Sequence, residues 1–370
     1  MTGQSQLNVL QICHSYYPPF LDCARQYAVL FAGTDYKVTT VYLTGERDEA
    51  VIAGSASDEV IFLGFKSSEV AGLKLPAILK VRKIAQAKQY TFCIAHRAKP
   101  TYVALLASKL KVISVRHNYG DFGRFSRRIM VNLFKKRLLI LGVSNSVRDE
   151  IRQHLPDWPH DKIQTLYNRI DIVATQAQLI SREDARAHLA LPEGAWILGS
   201  AGRLHHDKDF PTLLRGFAAA LPKLPKNSLL AIMGKGLLEN ELIALSQKLG
   251  IREHVKFLGH VPNGARYFKA FDAFALTSDH EPFGMVLLEA MAAEVPVLCS
   301  ECGGGAEVVK EAGLLFKLGD ANNLALSLLG LRHSNSQGVS NALNKLYRSF
   351  SDEAAKTVFW KIVQEAIIKK

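Results

Sequence analysis

The 370-residue sequence contains no apolar run that approaches the roughly 18 to 20 residues of a membrane-spanning helix. Its opening, MTGQSQLNVLQIC, lacks the basic start and the apolar stretch of a secretory signal peptide. Cysteine is scarce as well: five residues, odd in number and scattered, argue against a disulfide framework in so large a chain. These absences predict a cytoplasmic protein with reduced thiols.

Short-period repeats and low-complexity tracts are also lacking. With 48% hydrophobic and 22% charged residues, the composition is that of a soluble globular protein and excludes the disordered and fibrous classes. A chain of 370 residues is too long for one comfortable hydrophobic core, so two domains are expected.

Acidic residues are outnumbered: 46 Lys and Arg face 34 Asp and Glu, which gives a formal net charge of +12. This excess predicts attraction to an acidic partner, such as nucleic acid, an anionic membrane or a phosphorylated substrate. No recognised nucleic-acid-binding motif accompanies the charge, so nucleic acid is not the expected partner. Many of the cations form one basic cluster: Lys109, Lys111, Arg116, Arg124, Arg127, Arg128, Lys135, Lys136 and Arg137.

Within this cluster the stretch FGRFSRRIMVNLFKKRLLIL mixes apolar and cationic side chains, as a helix at a membrane interface does. Two interpretations stay open. The segment is either a helix that docks on an anionic bilayer or a surface helix whose apolar face packs on the core. The first predicts a peripheral position on the inner face of the cytoplasmic membrane.

Short apolar, β-branched runs alternate with helical stretches along the whole chain, which favours parallel sheets buried on both faces. The first series of predicted strands is Leu7–Cys13, Val38–Leu43, Val60–Leu63, Phe92–Ala95, Val112–Val115 and Leu138–Val143. The second series is Ile197–Ala201, Leu229–Met233, Val255–Leu258, Ala273–Thr277 and Val297–Cys299.

The two series predict an α/β protein with two domains. We expect an N-terminal domain over residues 1–168, a polar, irregular linker over 169–194, a C-terminal domain over 195–350 and a terminal helix over 351–370. Because open α/β sheets bind ligands at the carboxyl ends of their strands, the expected site is a cleft between the two domains.

Two carboxylates mark the segment LTSDHEPFGMVLLEAMAAEVPVLCS: Glu281 just before a predicted helix that starts near Phe283, and Glu289 further along it. The first backbone N–H groups of a helix are unpaired donors and bind anions. A nearby carboxylate can accept hydrogen bonds from sugar hydroxyls. Alternatively, Asp279 and Glu281 only cap the helix, and Glu289 pairs with a cation.

A second strand–turn–helix segment, SAGRLHHDKDFPTLLRGF, carries Arg203 and Lys208 in its loop. Fixed cations at a strand end can hold a diphosphate and stabilise its charge as it leaves. Two other patterns are set aside. Cys299 and Cys302 have half-zinc spacing without a second ligand pair. Asp207 and Asp209 form a D-x-D pattern around Lys208. This lysine would itself neutralise the charge of the diphosphate, so no metal cofactor is expected.

Both segments resemble glycosyltransferase family 4: GRLHHDKDFPTLL is similar to its G-R-L-x4-K-G-x3-L segment, and SDHEPFGMVLLEAMAAEVPVLCSECGGGAEVV to its E-x7-E segment. The match extends from Gly199 to about Phe316 and includes AIMGKGLLENEL and VKFLGHVP. GVSNSVRDEI, TLYNRID and VRHN resemble N-terminal segments of the family. The resemblance implies the GT-B fold, two Rossmann-like domains facing across a cleft, and a retaining, metal-independent enzyme that uses a nucleotide sugar.

The same resemblance implies roles for individual residues. Catalytic roles fall to His117, Glu281, Arg203 and Lys208, with His117 near the reacting sugar. The implied donor-binding residues are Gly202, Arg203, Lys208, Gly234, Val261, Glu281, Phe283, Gly284, Met285, Val286 and Glu289. The implied acceptor-binding residues are Asp22, Arg25 and His117.

The sequence departs from the family in SYYPPFLDCARQYA, where Leu21, Asp22, Cys23 and Ala24 replace a glycine-rich turn. Side chains there would narrow the loop, and Arg25 could supply a compensating cation. Arg169 also stands where the family more often has glycine.

The sequence therefore predicts transfer of a sugar to an acidic glycan or glycolipid, for example lipopolysaccharide core. Three alternatives stay open: a sugar-nucleotide epimerase, a catalytically silent GT-B protein that only binds the donor, and a nucleic-acid-binding protein suggested by charge alone.

Overall fold

The computed structural model describes residues 6–17, 20–332 and 336–368. They form two compact units. The first contains the chain up to Asn168 together with the C-terminal segment from Asp352, and the second runs from Arg169 to Ser351. The proline pair Pro18–Pro19 and the terminal Lys369 and Lys370, which figure in the sequence predictions, lie outside the described residues.

The first unit is built on a parallel sheet that has seven strands in the described part of the chain, in the order β3-β2-β1-β4-β5-β6-β7. Its strands are β1 (Leu7–Cys13), β2 (Tyr36–Thr44), β3 (Glu59–Phe65), β4 (Tyr90–His96), β5 (Val112–Arg116), β6 (Leu138–Gly142) and β7 (Ile163–Thr165). Its helices are α1 (Phe20–Ala28), α2 (Glu49–Gly54), α3 (Leu75–Ala87), α4 (Ala98–Ala107), α5 (Phe125–Leu133) and α6 (Asn145–His154), with 3-10 turns at Val29–Phe31, Lys135–Arg137 and His160–Lys162.

The second unit repeats this architecture with a parallel sheet in the order β10-β9-β8-β11-β12-β13. Its strands are β8 (Ile197–Ala201), β9 (Leu229–Met233), β10 (Val255–Gly259), β11 (Ala273–Leu276), β12 (Val297–Ser300) and β13 (Leu314–Phe316). Its helices are α7 (Ile172–Ala177), α8 (Arg182–His188), α9 (Phe210–Ala220), α10 (Glu239–Lys248), α11 (Met285–Ala292), α12 (Gly303–Val309), α13 (Ala321–Arg332) and α14 (Ser336–Phe350), with 3-10 turns at His206–Lys208, Leu221–Lys223, Arg252–His254 and Gly264–Ala270.

Both sheets confirm the predicted α/β fold of two Rossmann-like domains, and the predicted strands differ from the observed ones by at most two residues at either end. The central strands are buried on both faces, as the continuous apolar runs required. Two three-residue strands, β7 and β13, escaped prediction because so short a run gives no periodic signal.

The segment 169–194, expected to be an irregular linker, instead contains α7 and α8 and belongs to the second unit. Arg186 anchors it: the side chain is buried, donates to the carbonyls of Ala270 and Ala195 at 2.9 Å each, and pairs with Asp272 at 2.8 Å. A buried arginine looks like a surface residue in the sequence, because only the fold supplies the carbonyl oxygens that satisfy it.

The terminal helix α15 (Asp352–Val363) continues into a π-helical turn at Gln364–Ile368 and packs within the first unit. The ring of Phe359 lies 5.5 Å from that of Phe31, and the indole of Trp360 donates to the carbonyl of Leu30 at 3.0 Å. No helix among the described residues is both long and apolar enough to cross a membrane.

Candidate donor site and companion features

In the second unit, the strand order reverses between the adjacent strands β8 and β11. Open α/β sheets bind ligands at such a point, outside the carboxyl ends of the strands. The loops after these two strands lie side by side: the Thr277 hydroxyl donates to the Lys208 carbonyl at 2.8 Å, and the Asp279 N–H donates to the Asp207 carbonyl at 3.1 Å. The fold thus brings together the two segments that the sequence singled out.

Lys208 and Glu281 form an ion pair across these loops, with Nζ 2.8 Å from Oε2. Ser278 donates its hydroxyl to the same carboxylate oxygen at 3.1 Å. Both charged side chains are mostly buried, with exposed fractions of 17% for Lys208 and 11% for Glu281. The pair therefore holds a cation in a fixed position at the end of the sheet.

A cleft of about 330 Å³ opens beside this pair. One part of its lining is apolar and includes Met233, Val261 and Phe268. The polar side chains are two cations, a carboxylate and an imidazole: Arg203, Lys235, Glu289 and His260. Such a mixture suits a ligand with a flat apolar part, hydroxyl groups and negative charge.

Arg203 and Lys235 are available to a ligand. Arg203 is 76% exposed, and the nearest carboxylate, that of Asp207, is 3.7 Å away. Lys235 is exposed, and within the described ranges it forms no ion pair. Both side chains are exposed, and the ion pair of Arg203 with Asp207 is long, so both cations can still attract an anion in the cleft.

Gly234 allows two loops that line the cleft to approach each other closely. It adopts φ +143°, and a Cβ there would stand 1.8 Å from the carbonyl oxygen of Gly202. The Gly202 N–H in turn donates to the Met233 carbonyl at 2.9 Å. Any side chain at position 234 would separate the two loops that carry Arg203 and Lys235.

Helix α11 begins at Met285, two residues later than expected from the sequence. Gly284 has φ +93°, a left-handed conformation that cannot belong to a right-handed helix. The side chain of Phe283 is buried and packs edge-on against Phe350 at 5.7 Å. Phe283 and Gly284 thus precede the helix, Gly284 as its N-cap, and Met285 and Val286 are its first residues; that these backbone groups bind the donor stays a prediction.

Six of the predicted donor-binding residues line the cleft: Gly202, Arg203, Gly234, Val261, Val286 and Glu289. The other five, which lie outside the lining, are Lys208, Glu281, Phe283, Gly284 and Met285. Sequence reasoning missed several further lining residues, among them Lys235, His260, Gly264, Ala265 and Phe268. The GKG after β9 carried a usable signal for Lys235, because a loop at a strand's carboxyl end adjoins the site.

The cysteines near this site are free thiols. Cys302 donates its S–H to the Asp279 carbonyl at 2.7 Å, and Cys299 is buried below Gly305. The described part of the chain contains no group of three or more His, Cys, Asp or Glu side chains arranged to hold a metal ion.

His117 lies in the first unit, where the sheet order reverses between β1 and β4. It lines a small cavity of about 30 Å³ with Cys13, His14, Ser15, Phe20, Cys23, His96 and Arg97. Burial, together with the nearby His96, Arg97 and Arg116, holds the pKa of His117 well below its usual value of 6.5. His117 is therefore a neutral imidazole at physiological pH.

The residues that replace the glycine-rich turn belong to helix α1. Asp22 accepts from Arg25 at 3.1 Å and from Gln26 at 2.7 Å, and Arg25 also pairs with Asp352 of the terminal helix at 3.1 Å. Asp22 and Arg25, expected to bind acceptor, are thus engaged with each other, and Arg25 joins α1 to α15. Arg169, the other departure, is fully buried.

Helix α5 carries the apolar and basic segment noted in the sequence. Phe125, Ile129 and Leu133 are 68%, 45% and 76% exposed, and their four-residue spacing places them on one face. We refer to these three residues as the α5 stripe. The stripe faces solvent, whereas Val131 of the same helix and Phe122 just before it are buried, so the segment packs on its own unit and also exposes an apolar face.

Comparison with known proteins follows the two units. The family model described as Glycosyltransferase Family 4 matches residues 23–173, and the one described as Glycosyl transferases group 1 matches residues 181–356. The chain is 28% identical over 300 residues to N-acetylgalactosamine-N,N'-diacetylbacillosaminyl-diphospho-undecaprenol 4-alpha-N-acetylgalactosaminyltransferase of Campylobacter jejuni, covering 77% of each chain. It is 29% identical over 194 residues to the lipopolysaccharide core biosynthesis glycosyltransferase LpsD of Rhizobium meliloti, covering 50% of this chain and 54% of that protein.

Solved structures share the fold at low sequence identity. A glycosyltransferase from Rickettsia africae superposes with a TM-score of 0.83 at 14% identity, covering 99% of this chain and 100% of that one. HepE of Anabaena, solved in complex with UDP and glucose, gives a TM-score of 0.76 at 19% identity, covering 98% and 100%. The solved structures show that the fold is GT-B, and the two family models, one over each unit, identify the chain as a glycosyltransferase with a Glycosyltransferase Family 4 domain followed by a Glycosyl transferases group 1 domain.

Proposed function

We propose that this protein transfers a sugar from a nucleoside diphosphate sugar to a hydroxyl of a glycolipid or glycan, with retention at the anomeric carbon and without a metal ion. The observation that carries the proposal is the cleft at the β8/β11 switch point. It combines an apolar wall, two available cations and the carboxylate of Glu289.

The parts of a nucleoside diphosphate match this lining. The base suits the apolar wall at Met233, Val261 and Phe268, and the ribose hydroxyls can donate to Glu289. The diphosphate suits Arg203 and Lys235, together with the first N–H groups of α11. The volume of about 330 Å³ falls at the lower end of the usual range for small-molecule sites, and HepE, with the same fold, was solved with UDP and glucose bound.

The Lys208–Glu281 pair supplies the electrostatics of the chemical step. As the bond from the anomeric carbon to the diphosphate oxygen breaks, its electron pair moves to that oxygen, and the nearby ammonium of Lys208 stabilises the new charge. In this mechanism fixed cationic side chains, and no metal ion, neutralise the charge of the leaving diphosphate. Glu281 orients Lys208 and the sugar in this mechanism and is not a nucleophile; its Oε2 accepts from both Lys208 and Ser278.

Retention then follows from attack on the same face of the sugar. The acceptor hydroxyl forms its bond to the anomeric carbon on the face that the diphosphate leaves. Its proton passes to the departing phosphate oxygen, so no base on the opposite face and no covalent sugar–enzyme intermediate are required.

A membrane-held acceptor is supported by the α5 stripe and its charges. Arg124, Arg128 and Lys136 flank the stripe and have no hydrogen-bond or ion-pair acceptor among the residues described here. By contrast, Arg127 pairs with Asp121 at 2.8 Å. An exposed apolar stripe between unpaired cations fits the interface of an anionic bilayer, at the inner face of the cytoplasmic membrane.

A second exposed apolar group lies at the start of helix α3 in the same unit. Leu73, Leu75 and Leu79 are 68%, 58% and 55% exposed, with Lys74 and Lys80 beside them. It is a second apolar and basic surface of the same unit that a bilayer could contact. The names of relatives point the same way: one acts on a diphospho-undecaprenol glycolipid and another in lipopolysaccharide core biosynthesis.

The test is a panel of UDP-, GDP- and ADP-sugars screened by thermal shift on the full chain, because a ligand that binds only the folded state raises its melting temperature. The sugar nucleotide that binds is then incubated with glycolipid acceptors in EDTA, and the anomeric configuration of the product is read by NMR. We expect transfer with retention in EDTA. Activity lost in EDTA and restored by Mn²⁺, or an inverted product, would contradict the mechanism.

The same experiment separates the alternatives. A silent donor-binding protein gives a thermal shift with no product. An epimerase gives a modified sugar nucleotide without any acceptor.

A further inference from the structure

The cavity around His117 contains a chain of hydrogen bonds that begins at a backbone carbonyl. Gln11, fully buried on β1, donates through Nε2 to the carbonyl of Ala24 at 3.1 Å. A carbonyl oxygen can only accept, so the amide orientation of Gln11 is fixed. Its other atom, Oε1, must therefore act as an acceptor wherever it is in contact.

Gln11 Oε1 lies 3.3 Å from Nε2 of His96, so this nitrogen carries the proton. A neutral imidazole has one protonated nitrogen, which leaves His96 Nδ1 as an acceptor. Burial, together with the nearby Arg97, lowers the pKa of His96 to about 3, so His96 is neutral at physiological pH.

The direction of these hydrogen bonds also determines which nitrogen of His117 carries the proton. His96 Nδ1 lies 3.1 Å from His117 Nε2, and the two rings are nearly parallel, at 20°. Because His96 Nδ1 accepts, His117 Nε2 must carry the proton. The remaining nitrogen, His117 Nδ1, is then a bare acceptor 3.7 Å from the sulfur of Cys23, whose thiol can donate to it.

We propose that Gln11 and His96 are positioning residues that hold His117 in the Nε2–H tautomer, so that His117 offers a hydrogen-bond acceptor to a substrate hydroxyl. A hydroxyl that enters the cavity would take the place of the Cys23 thiol on Nδ1. The hydroxyl is that of a sugar substrate, so this part rests on the proposed function, whereas the tautomer does not.

The groups that face His117 agree with this role. They are basic or neutral on every element packed against it: Cys13 and His14 at the end of β1, Cys23 on α1, His96 and Arg97 at the end of β4, and Arg116 on β5. The nearest carboxylates, Asp22 and Asp121, are bound to Arg25 and to Arg116. Burial raises the pKa of the Cys23 thiol to about 12, so it stays a donor.

The experiment reads the tautomer directly and needs no substrate. The full chain is labelled with ¹⁵N-histidine, and long-range ¹H–¹⁵N spectra are recorded at pH 7.5, with the His117 signals assigned by their loss in His117→Gln. We expect a protonated Nε2 and a bare Nδ1. A protonated Nδ1 of His117 in the wild-type protein overturns the proposal, and His117→Asn supplies the assignment if His117→Gln does not fold.

Two variants of His96 provide a matched pair. In His96→Gln the amide can still donate to Gln11 and accept from His117, so the tautomer should persist. In His96→Leu no acceptor remains, so His117 should populate both tautomers. His14→Gln, in the same cavity but outside the chain of bonds, should leave the His117 spectrum unchanged. A single Nε2–H tautomer in a folded His96→Leu protein would show that His96 does not set it.

Transfer kinetics then test the use of that acceptor. In His96→Leu we expect kcat to fall about 10-fold or more, with rescue in His96→Gln. If the tautomers behave as expected but no sugar is transferred by any variant or by wild type, the proposed function fails and the positioning roles of Gln11 and His96 stand.

Discussion

The ammonium group of Lys208 lies 2.8 Å from a carboxylate oxygen of Glu281, so the two residues act as one unit at the carboxyl end of the second sheet. The resemblance implied separate tasks, with the lysine on the diphosphate and the glutamate on the sugar. Their pairing couples those tasks, because a change in either side chain displaces the other.

Lys208→Ala should lower kcat on the order of 10² to 10³-fold, with a smaller effect on donor affinity, since a preorganised cation gains most when the leaving group carries most charge. Steady-state kinetics measure this, with the exposed Lys248→Ala on α10 as control. The double variant with Glu281→Ala should be less than additive. Near-normal kcat with only weaker donor binding would make Lys208 a binding residue.

Glu289→Ala should weaken binding of the nucleoside diphosphate by about 1 to 3 kcal/mol, because the ribose hydroxyls lose a charged acceptor. Titration calorimetry measures this, and Glu241→Ala on α10, exposed and away from the cleft, is the control. Binding of the free nucleoside should fall in parallel, since it contains the same ribose. Unchanged affinities for both ligands would remove Glu289 from this role.

The α5 stripe can be tested with liposomes. Changing Phe125, Ile129 and Leu133 to Ser should abolish sedimentation with phosphatidylglycerol vesicles, while nucleotide binding is retained. The control changes two exposed leucines of the second unit to Ser: Leu237, which is 86% exposed, and Leu326, which is 66% exposed. This control protein should still sediment with the vesicles.

Charge reversal at Arg124, Arg128 and Lys136 should weaken the vesicle interaction on the order of 100-fold, at about 1 kcal/mol per basic residue lost. Equal sedimentation of all these proteins would contradict the membrane role.

The buried histidines predict a loss of stability in mild acid. Their folded pKa is lowered, to about 3 for His96, whereas the unfolded chain takes up a proton near pH 6.5. The unfolded state therefore binds more protons below pH 6.5, and stability is present above that pH and lost as the pH falls.

The free energy of unfolding at pH 7.5, measured with denaturant, should exceed that at pH 5.5 by about 1.4 kcal/mol for each of His96 and His117, with a further contribution of the same sign from His14, whose pKa burial also lowers. His117→Gln should remove about 1.4 kcal/mol of the difference. The carboxyls of Asp58 and Glu59 do not interfere, because their pKa values are lowered from 3.8 and 4.5, below this window. Equal stability at both pH values would mean that the buried rings are not neutral in the folded state.

Arg97 has φ +73° and ψ 177°, a backbone conformation that essentially only glycine adopts without strain. Its guanidinium stacks 4.1 Å above the ring of Phe20 and lines the His117 cavity. We expect Arg97→Gly to be more stable than Arg97→Ala by about 1 to 2 kcal/mol, because both lose the stacking but only glycine relieves the strain. Thermal unfolding of the two variants measures this, and the usual order, with alanine more stable, would show that the backbone is unstrained.

The sequence alone determined the alternation of buried strands and helices, the two-domain fold and the motifs at Arg203, Lys208, Glu281 and Glu289. These depend on local periodicity and on residue order, which a single chain displays directly. It also located the α5 stripe as a mixture of apolar and basic residues, but its periodicity could not say whether that face was buried or exposed.

Tertiary structure decided what depends on partners distant in sequence. Glu281 meets Lys208 across 73 residues, and His96 meets Gln11 across 85. Lys235 lines the cleft because Gly234 approaches Gly202 closely. Arg25 forms ion pairs with Asp22 and with Asp352 of the terminal helix. A side chain's charge, tautomer and availability are set by the atoms that surround it after folding, and neighbours in the sequence do not supply those atoms.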